Sequence, residues 1–454
     1  MSYVSGSQSD RSEMLKKIGV SDFSELIEEI PENLRLTELL NLPAGIPEFE
    51  VIKELKKLSD KSKSLNSISS FQGGGAYDHY VPAAVDAIIS RSEFLTAYTP
   101  YQAEVSQGTL QTIYEFQSLV CRLTGMDIAN ASMYDGASAT AEAVLMSLTQ
   151  TRNKTVLLSA GLHPAYRRVI ETYTSGMDIE IVTLPEIDGC VDMEKLTGFD
   201  LDSAACVVVQ SPNFYGLIEN IKQVGSLTQE RKALFVVVAN PLSLALLTSP
   251  GEAGADLAVG EMQVFGNALN FGGPYVGYFA ANQKYMRKIP GRIAARTKDV
   301  DGKDGFVLTL QTREQHIRRD KATSNICTNQ ALCALAATIH ITLLGEAGVH
   351  QAALESVKRT HYLAEKLSAL EGFELVYSSK FFNEFLIKLP LSAQSFVELM
   401  EKHDIIPGIP LSKFHSADEN LLLVAVTEKK SKSELDAYIT AAAGINKSAG
   451  VNVG

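Results

Sequence analysis

The chain of 454 residues contains no tryptophan and only five cysteines. These stand at Cys121, Cys190, Cys206, Cys327 and Cys333, and none of them forms a C-x-x-C pair. That spacing excludes the common zinc-ribbon and dithiol patterns and leaves reduced thiols as the expectation. Basic charge is short as well: 41 Lys and Arg face 53 Asp and Glu, for a net charge of −12. Nucleic acid and anionic membranes recruit clustered Lys and Arg, so neither is expected as a partner. The longest apolar stretch, ALFVVVANPLSLALL from Ala233, has 15 residues and is broken by Asn240, Pro241 and Ser243, too short to span a bilayer. The polar start MSYVSGSQSDRSEMLKKIG lacks the basic and apolar regions of a secretory signal, so a cytoplasmic protein is expected.

The most informative gap is local. No lysine occurs between Lys232 and Lys284. That span includes EMQVFGNALNFGGP, from Glu261 to Pro274, a Gly-rich stretch flanked by strand-like runs, of the kind found in the active sites of cofactor enzymes.

What is present describes an ordinary globular chain, 45% hydrophobic and 21% charged, long enough for two or three substructures. Residues 1–70 read as an arm of two or three short helices: SEMLKKIG stops at Gly19, and SDFSELIEEIP opens with a capping Ser21. Residues 71–330 read as a large α/β domain. Its runs TVLLS, IEIVTL, CVVVQS, LFVVVAN, DLAVGE and YVGYFA are continuously apolar, as strands covered on both faces are. A doubly wound, mostly parallel sheet follows from that pattern. Residues 331–447 read as a small α+β domain, with a long apolar helix from QALCALAATIHITLLGEAG, a second helix at VKRTHYLAEKLSAL, and strands at FELVY, FNEFLIKL and LLLVAVTE. The final SAGVNVG reads as a frayed tail.

Four segments stand in the order expected of a pyridoxal-phosphate enzyme of the aspartate-aminotransferase-like class. In YDGASATAEA, Gly136, Ala137 and Ser138 lead into a helix whose free N–H groups suit a phosphate; a merely capped helix start reads the same way. In GLHPAYR, His163 opens a helix after a strand, where this class stacks an aromatic ring on the cofactor. In QSPNFYG, Pro212, Asn213 and Gly216 form a turn at a strand end, a pocket rim. The fourth, EMQVFGNALNFGGP, should carry the Schiff-base lysine and does not. The triplet Gly73, Gly74 and Gly75 permits a tight backbone path.

The stretches FQGGGAYDHYVP, RSEFLTAYTPYQAEVSQGTLQTIYEFQ, ANASMYDGASATAEA, GLHPAYR, FGGPYVGYFA, TREQHIRRDKATSNICTNQAL and FFNEF resemble the glycine cleavage system P-protein in its two-chain form, on the alpha side. The resemblance runs from about residue 10 to 445 and implies a pyridoxal-phosphate-dependent transferase-like fold (fold type I). In that family the beta subunit carries the Schiff-base lysine and the aspartate that pairs with the pyridinium nitrogen. Counted from PGEAGAD at Pro250, the lysine position falls at Val264 and the aspartate position near Val237. Valine supplies neither function. The resemblance therefore implies a chain that holds no cofactor covalently, with pyridoxal phosphate on a partner beta subunit, two copies of each chain, and a lipoylated H-protein that accepts the aminomethyl group of decarboxylated glycine.

Such a chain still contributes to its partner's pocket if sites lie at the subunit interface. Thr323, Ser324 and Asn325 in ATSNICTNQ are expected to precede the long apolar helix and reach the partner's cofactor phosphate. Arg318, Arg319 and Lys321 lie beside them, either as part of that site or as solvated surface. Tyr98 and Tyr101 are candidates for the substrate entrance, or for packed core. Two other readings compete: a purely structural subunit that stabilises the catalytic chain, and a self-sufficient enzyme using a lysine such as Lys284.

Overall fold

The computed structural model describes residues 6–450 except 37, 39, 271 and 415–418. It divides into two compact units, Met1–Lys63 and Ser64–Gly454. The first holds helices Gln8–Ile18, Phe23–Leu26 and Glu48–Ser59. A capping box between Ser7 and Asp10 starts the first of these, and Gly19 ends it at φ 95°, a conformation open to glycine. Asp22, not Ser21, caps the second, because its carboxylate reaches the Ser24 N–H. None of these three helices buries a residue.

The second unit is built on a seven-stranded sheet. Its strands are β1 (Ile128–Ala129), β2 (Thr155–Ser159), β3 (Glu180–Leu184), β4 (Ala204–Ser211), β5 (Leu234–Ala239), β6 (Leu257–Glu261) and β7 (Gly277–Ala281). They lie in the order β1-β7-β6-β5-β4-β2-β3. The pairs from β3 across to β6 are parallel, and β7 runs antiparallel to both of its neighbours. The Val-rich runs have a direct cause here. Along β4 and β5, Val208, Val236 and Val238 pack into one core, while Val207, Val209, Phe235 and Val237 pack into another on the opposite face. Strands covered on both sides have no polar alternation to show.

The expected pair of C-terminal helices runs end to end over Ala331–Ser368, the two meeting at a kink at Gly345, where φ 61° and ψ −178° leave helical space. By length and composition alone it is apolar enough to cross a membrane. Its first half packs Ala334, Ala337 and Ile341 against the sheet, and its second half packs Leu363, Ala364 and Leu367 into the C-terminal core. A four-stranded sheet, with Glu384–Lys388 and Leu421–Ala425 at its centre, completes that core. Ser69–Ser70 pairs in parallel with Ile405–Ile406, which ties the start of this unit to its C-terminal part. The last helix, Lys432–Gly450, continues into the expected tail, and 451–454 lie outside the described residues.

Candidate functional site

The carboxyl ends of β4, β5 and β6 open onto the place where doubly wound folds hold their ligands. Gln210, Ala239, Asn240 and Glu261 line a cavity there, closed on its other sides by Tyr77, His163, Tyr166, Val264 and Glu384. The cavity measures about 40 Å³. One water takes up about 30 Å³ of liquid, whereas sites for small ligands run from about 300 to 1,000 Å³. Pyridoxal phosphate does not fit.

The side chains that fill the space explain why. At the start of the Gly136–Thr151 helix, Asp135 and Ser138 form a capping box. The Gly136 N–H, which would face a phosphate, donates instead to Glu261 Oε2 at 3.0 Å. Glu261 Oε1 takes the N–H of Val276 at 3.0 Å and that of Gln263 at 3.2 Å. Burial pushes this carboxyl up to about 8, against the pull of those donors. The Tyr166 hydroxyl presses so close to Gly136 that a Cβ there would lie 2.2 Å from it.

His163 sits where the sequence places it, but its ring is covered by the chain's own aromatics. Tyr166 stacks on it at 5.0 Å, and Phe214 meets it edge-on at 4.9 Å. Its Nδ1 accepts the Ala165 N–H and its Nε2 faces the Gly74 carbonyl at 2.7 Å, an arrangement for the neutral ring with its proton on Nε2. Burial lowers its pKa accordingly. The glycine triplet threads past the same wall, and the Gly74 N–H donates to Glu384 Oε1 at 2.7 Å. Tyr77 donates to Glu384 Oε2 at 2.9 Å, and burial pushes the Glu384 carboxyl up to about 7.

Val264 lines the cavity, as expected of the lysine position. Val237 does not. It packs with Val209 and Phe235 in the core on the other face of the sheet, and from this stretch the cavity is lined by Val238, Ala239 and Asn240. Lys284 lies outside the cavity, paired at 2.8 Å with Asp256, which precedes β6 at the end opposite Glu261.

The Thr323–Asn325 expectation needs a larger correction. The apolar helix starts at Ala331, so the three residues belong to an irregular loop, and no helix terminus stands behind them. The Thr323 N–H donates to the Arg313 carbonyl at 3.2 Å, and Ser324 Oγ accepts the Ile326 N–H at 3.0 Å. Ser324 is also bonded to Glu142, a carboxyl that burial pushes up to about 6. Thr323 and Asn325 are exposed, as are Arg318, Arg319 and Lys321. Tyr98 and Tyr101 lie at the surface too, 74% and 49% exposed, which removes the packed-core reading. Tyr98 reaches this same loop, with its hydroxyl 3.0 Å from Thr328 Oγ1.

The family profile of the glycine cleavage system P-protein matches residues 1–441. The chain belongs to the glycine cleavage system P-protein family. Probable glycine dehydrogenase (decarboxylating) subunit 1 of Chlorobium limicola is 50% identical over 446 residues, covering 98% of this chain and 100% of that one. The protein of the same description from Desulfitobacterium hafniense is 49% identical over 439 residues, covering 97% and 98%. Among solved structures, glycine decarboxylase (P-protein) of the glycine cleavage system, in inhibitor-bound form, superposes with a TM-score of 0.89 at 39% identity, covering 98% of this chain and 100% of that one. Glutamate decarboxylase of Lactobacillus brevis, at a TM-score of 0.67 and 11% identity over 93% and 96% of the two chains, shares the fold alone. The fold is that of the pyridoxal-phosphate-dependent type I class, as the motif order implies.

Within this P-protein fold, sequence reasoning passed over Glu261, Tyr166 and Glu384. Each lies inside a quoted motif. A carboxylate at the end of an all-apolar strand was the available signal, because such a group is buried only where donors await it.

Proposed function

We propose that this chain is the cofactor-free subunit of a two-chain glycine decarboxylase of the glycine cleavage system. The reaction, loss of CO2 from glycine and transfer of the aminomethyl group to the lipoamide of H-protein, then takes place on pyridoxal phosphate held by the partner subunit. One observation carries this reading: Glu261 and Tyr166 fill the helix N-terminus and strand-end cavity where a doubly wound fold offers a place for an anionic ligand. The near-full-length identity to proteins described as subunit 1 supports a partner, and two copies of each chain are proposed for the assembly. The role left to this chain is to shape its partner's pocket. Tyr98, Tyr101 and the exposed hydroxyl of Thr323 belong to the face proposed for it, with Ser324 and Asn325 shaping the loop that carries Thr323.

The test combines this chain with a cofactor-bearing partner and follows exchange of labelled bicarbonate into glycine. Exchange should require both chains, with the pyridoxal-phosphate absorbance on the partner alone. Exchange by the partner at full rate without this chain would leave it a structural subunit only.

A further inference from the structure

The two long motifs YTPYQAEVSQG and REQHIRRDKATSNICTNQ meet around one buried guanidinium that neither contains. Arg292 is 2% exposed. Its Nη1 donates to the Cys327 carbonyl at 2.6 Å and its Nη2 to the Tyr101 hydroxyl at 3.1 Å. Its Nε lies 3.3 Å from Glu314 Oε2. The guanidinium carbon also stands 5.4 Å from the centre of the Tyr101 ring, whose edge meets His316 at 5.3 Å.

A buried cation is an expensive way to join loops, since apolar residues of the same volume often serve stability as well or better. This one does something an apolar group cannot. The Tyr101 oxygen accepts from a cation, which leaves the phenolic proton free to be given outward and strengthens it as a donor, because linked hydrogen bonds polarise one another. Tyr101 is half exposed, so this residue reaches from the buried cation to the surface.

We propose that Tyr101 offers this polarised O–H to the carboxylate of glycine in the partner subunit's site, and that Arg292 is the positioning residue that orients it. The inference rests on the reading that this chain lines its partner's pocket. Arg292 holds the Cys327 carbonyl with its other nitrogen, so the same group sets the loop that carries Thr328 and, through it, Tyr98.

The experiment uses the two-chain complex with full cofactor content and measures kcat and KM for glycine in bicarbonate exchange. Tyr101→Phe keeps the ring and removes only the hydroxyl. It should raise KM about ten- to a hundredfold, the range of one hydrogen bond to a charged group, with cofactor content and assembly unchanged. Arg292→Gln should raise KM in the same direction, and the double variant should be no worse than the poorer single one, because Arg292 acts through the hydroxyl. An unaltered KM in Tyr101→Phe overturns the proposal, even if Arg292→Gln fails to assemble. Penalties that multiply in the double variant make Arg292 a structural residue and overturn its positioning role. If the unmodified chain supports no exchange with its partner, the functional reading fails first and this inference falls with it.

Discussion

Glu261 and Gly136, 125 residues apart in the chain, are joined by a 3.0 Å hydrogen bond from the first turn of a helix to the last residue of a strand. A side-chain carboxyl thereby takes the place that the fold provides for an anion at a helix N-terminus.

Removing that carboxylate should be costly. In Glu261→Ala the N–H groups of Gly136, Val276 and Gln263 lose their acceptor in a nearly closed space. Each unsatisfied buried donor costs about 1–3 kcal/mol, so the variant should lose at least about 2 kcal/mol in urea unfolding. A midpoint equal to that of the unmodified chain would show that water replaces the carboxylate without loss.

Restoring the lysine alone should not restore the cofactor. Val264→Lys supplies an amine but leaves a cavity of about 40 Å³ behind Tyr166 and Glu261. Titration of this variant with pyridoxal phosphate should give no imine absorbance near the visible edge. Appearance of that band, at a stoichiometry near one, would contradict the filled cradle.

Part of the stability lost as pH rises should come from Glu384. Glu384 holds its proton up to about pH 7 in the folded chain, against an ordinary value of 4.5. The folded state therefore binds more protons than the unfolded state between those values, and the stability this contributes is complete below 4.5 and lost as pH rises to about 7. The span corresponds to about 3 kcal/mol at 1.4 kcal/mol per unit. Urea unfolding at pH 5, 6, 7 and 8 should show that the unmodified chain's stability, measured relative to Glu384→Gln, falls over this range. A pH-independent difference between the two chains would remove Glu384 as the cause.

Thr323 and Ser324 should separate by effect. Thr323→Ala takes an exposed hydroxyl from the face proposed to meet the partner and should weaken cofactor retention in the complex about tenfold, the scale of one charge-assisted hydrogen bond. Ser324→Ala breaks the turn to Ile326 and the bond to Glu142, and should lower thermal stability before it alters cofactor affinity. Pyridoxal-phosphate titration and thermal melts of both variants check this, and identical behaviour would mean the loop acts as one unit.

Sequence patterning reached the sheet because Val-rich β4 and β5 are buried on both faces, a fact written directly into composition. The absent lysine is visible without coordinates too. Patterning missed the filling of the cradle, since the partners Glu261 and Gly136 are brought together only by folding, and a buried acid looks like an exposed one in a string of letters. Thr323 failed for a different reason. The apolar pattern from Ile326 onward resembles a helix start, but Cys327 and Asn329 are bonded to Tyr134 and Ser132, and the chain stays irregular until Ala331. Arg292 lies in no motif at all, so only its contacts reveal it.

The carboxylate at the head of the Gly136–Thr151 helix has a consequence for how this chain is made. Many proteins of its class remain unfinished when they leave the ribosome, because a vitamin-derived group must still arrive to settle their interior. On the proposed function, in which the partner holds the cofactor, the translated chain already contains every atom its centre needs. Its synthesis is thus uncoupled from nutrient supply, and scarcity of the vitamin would leave this chain mature while any cofactor-dependent partner waits.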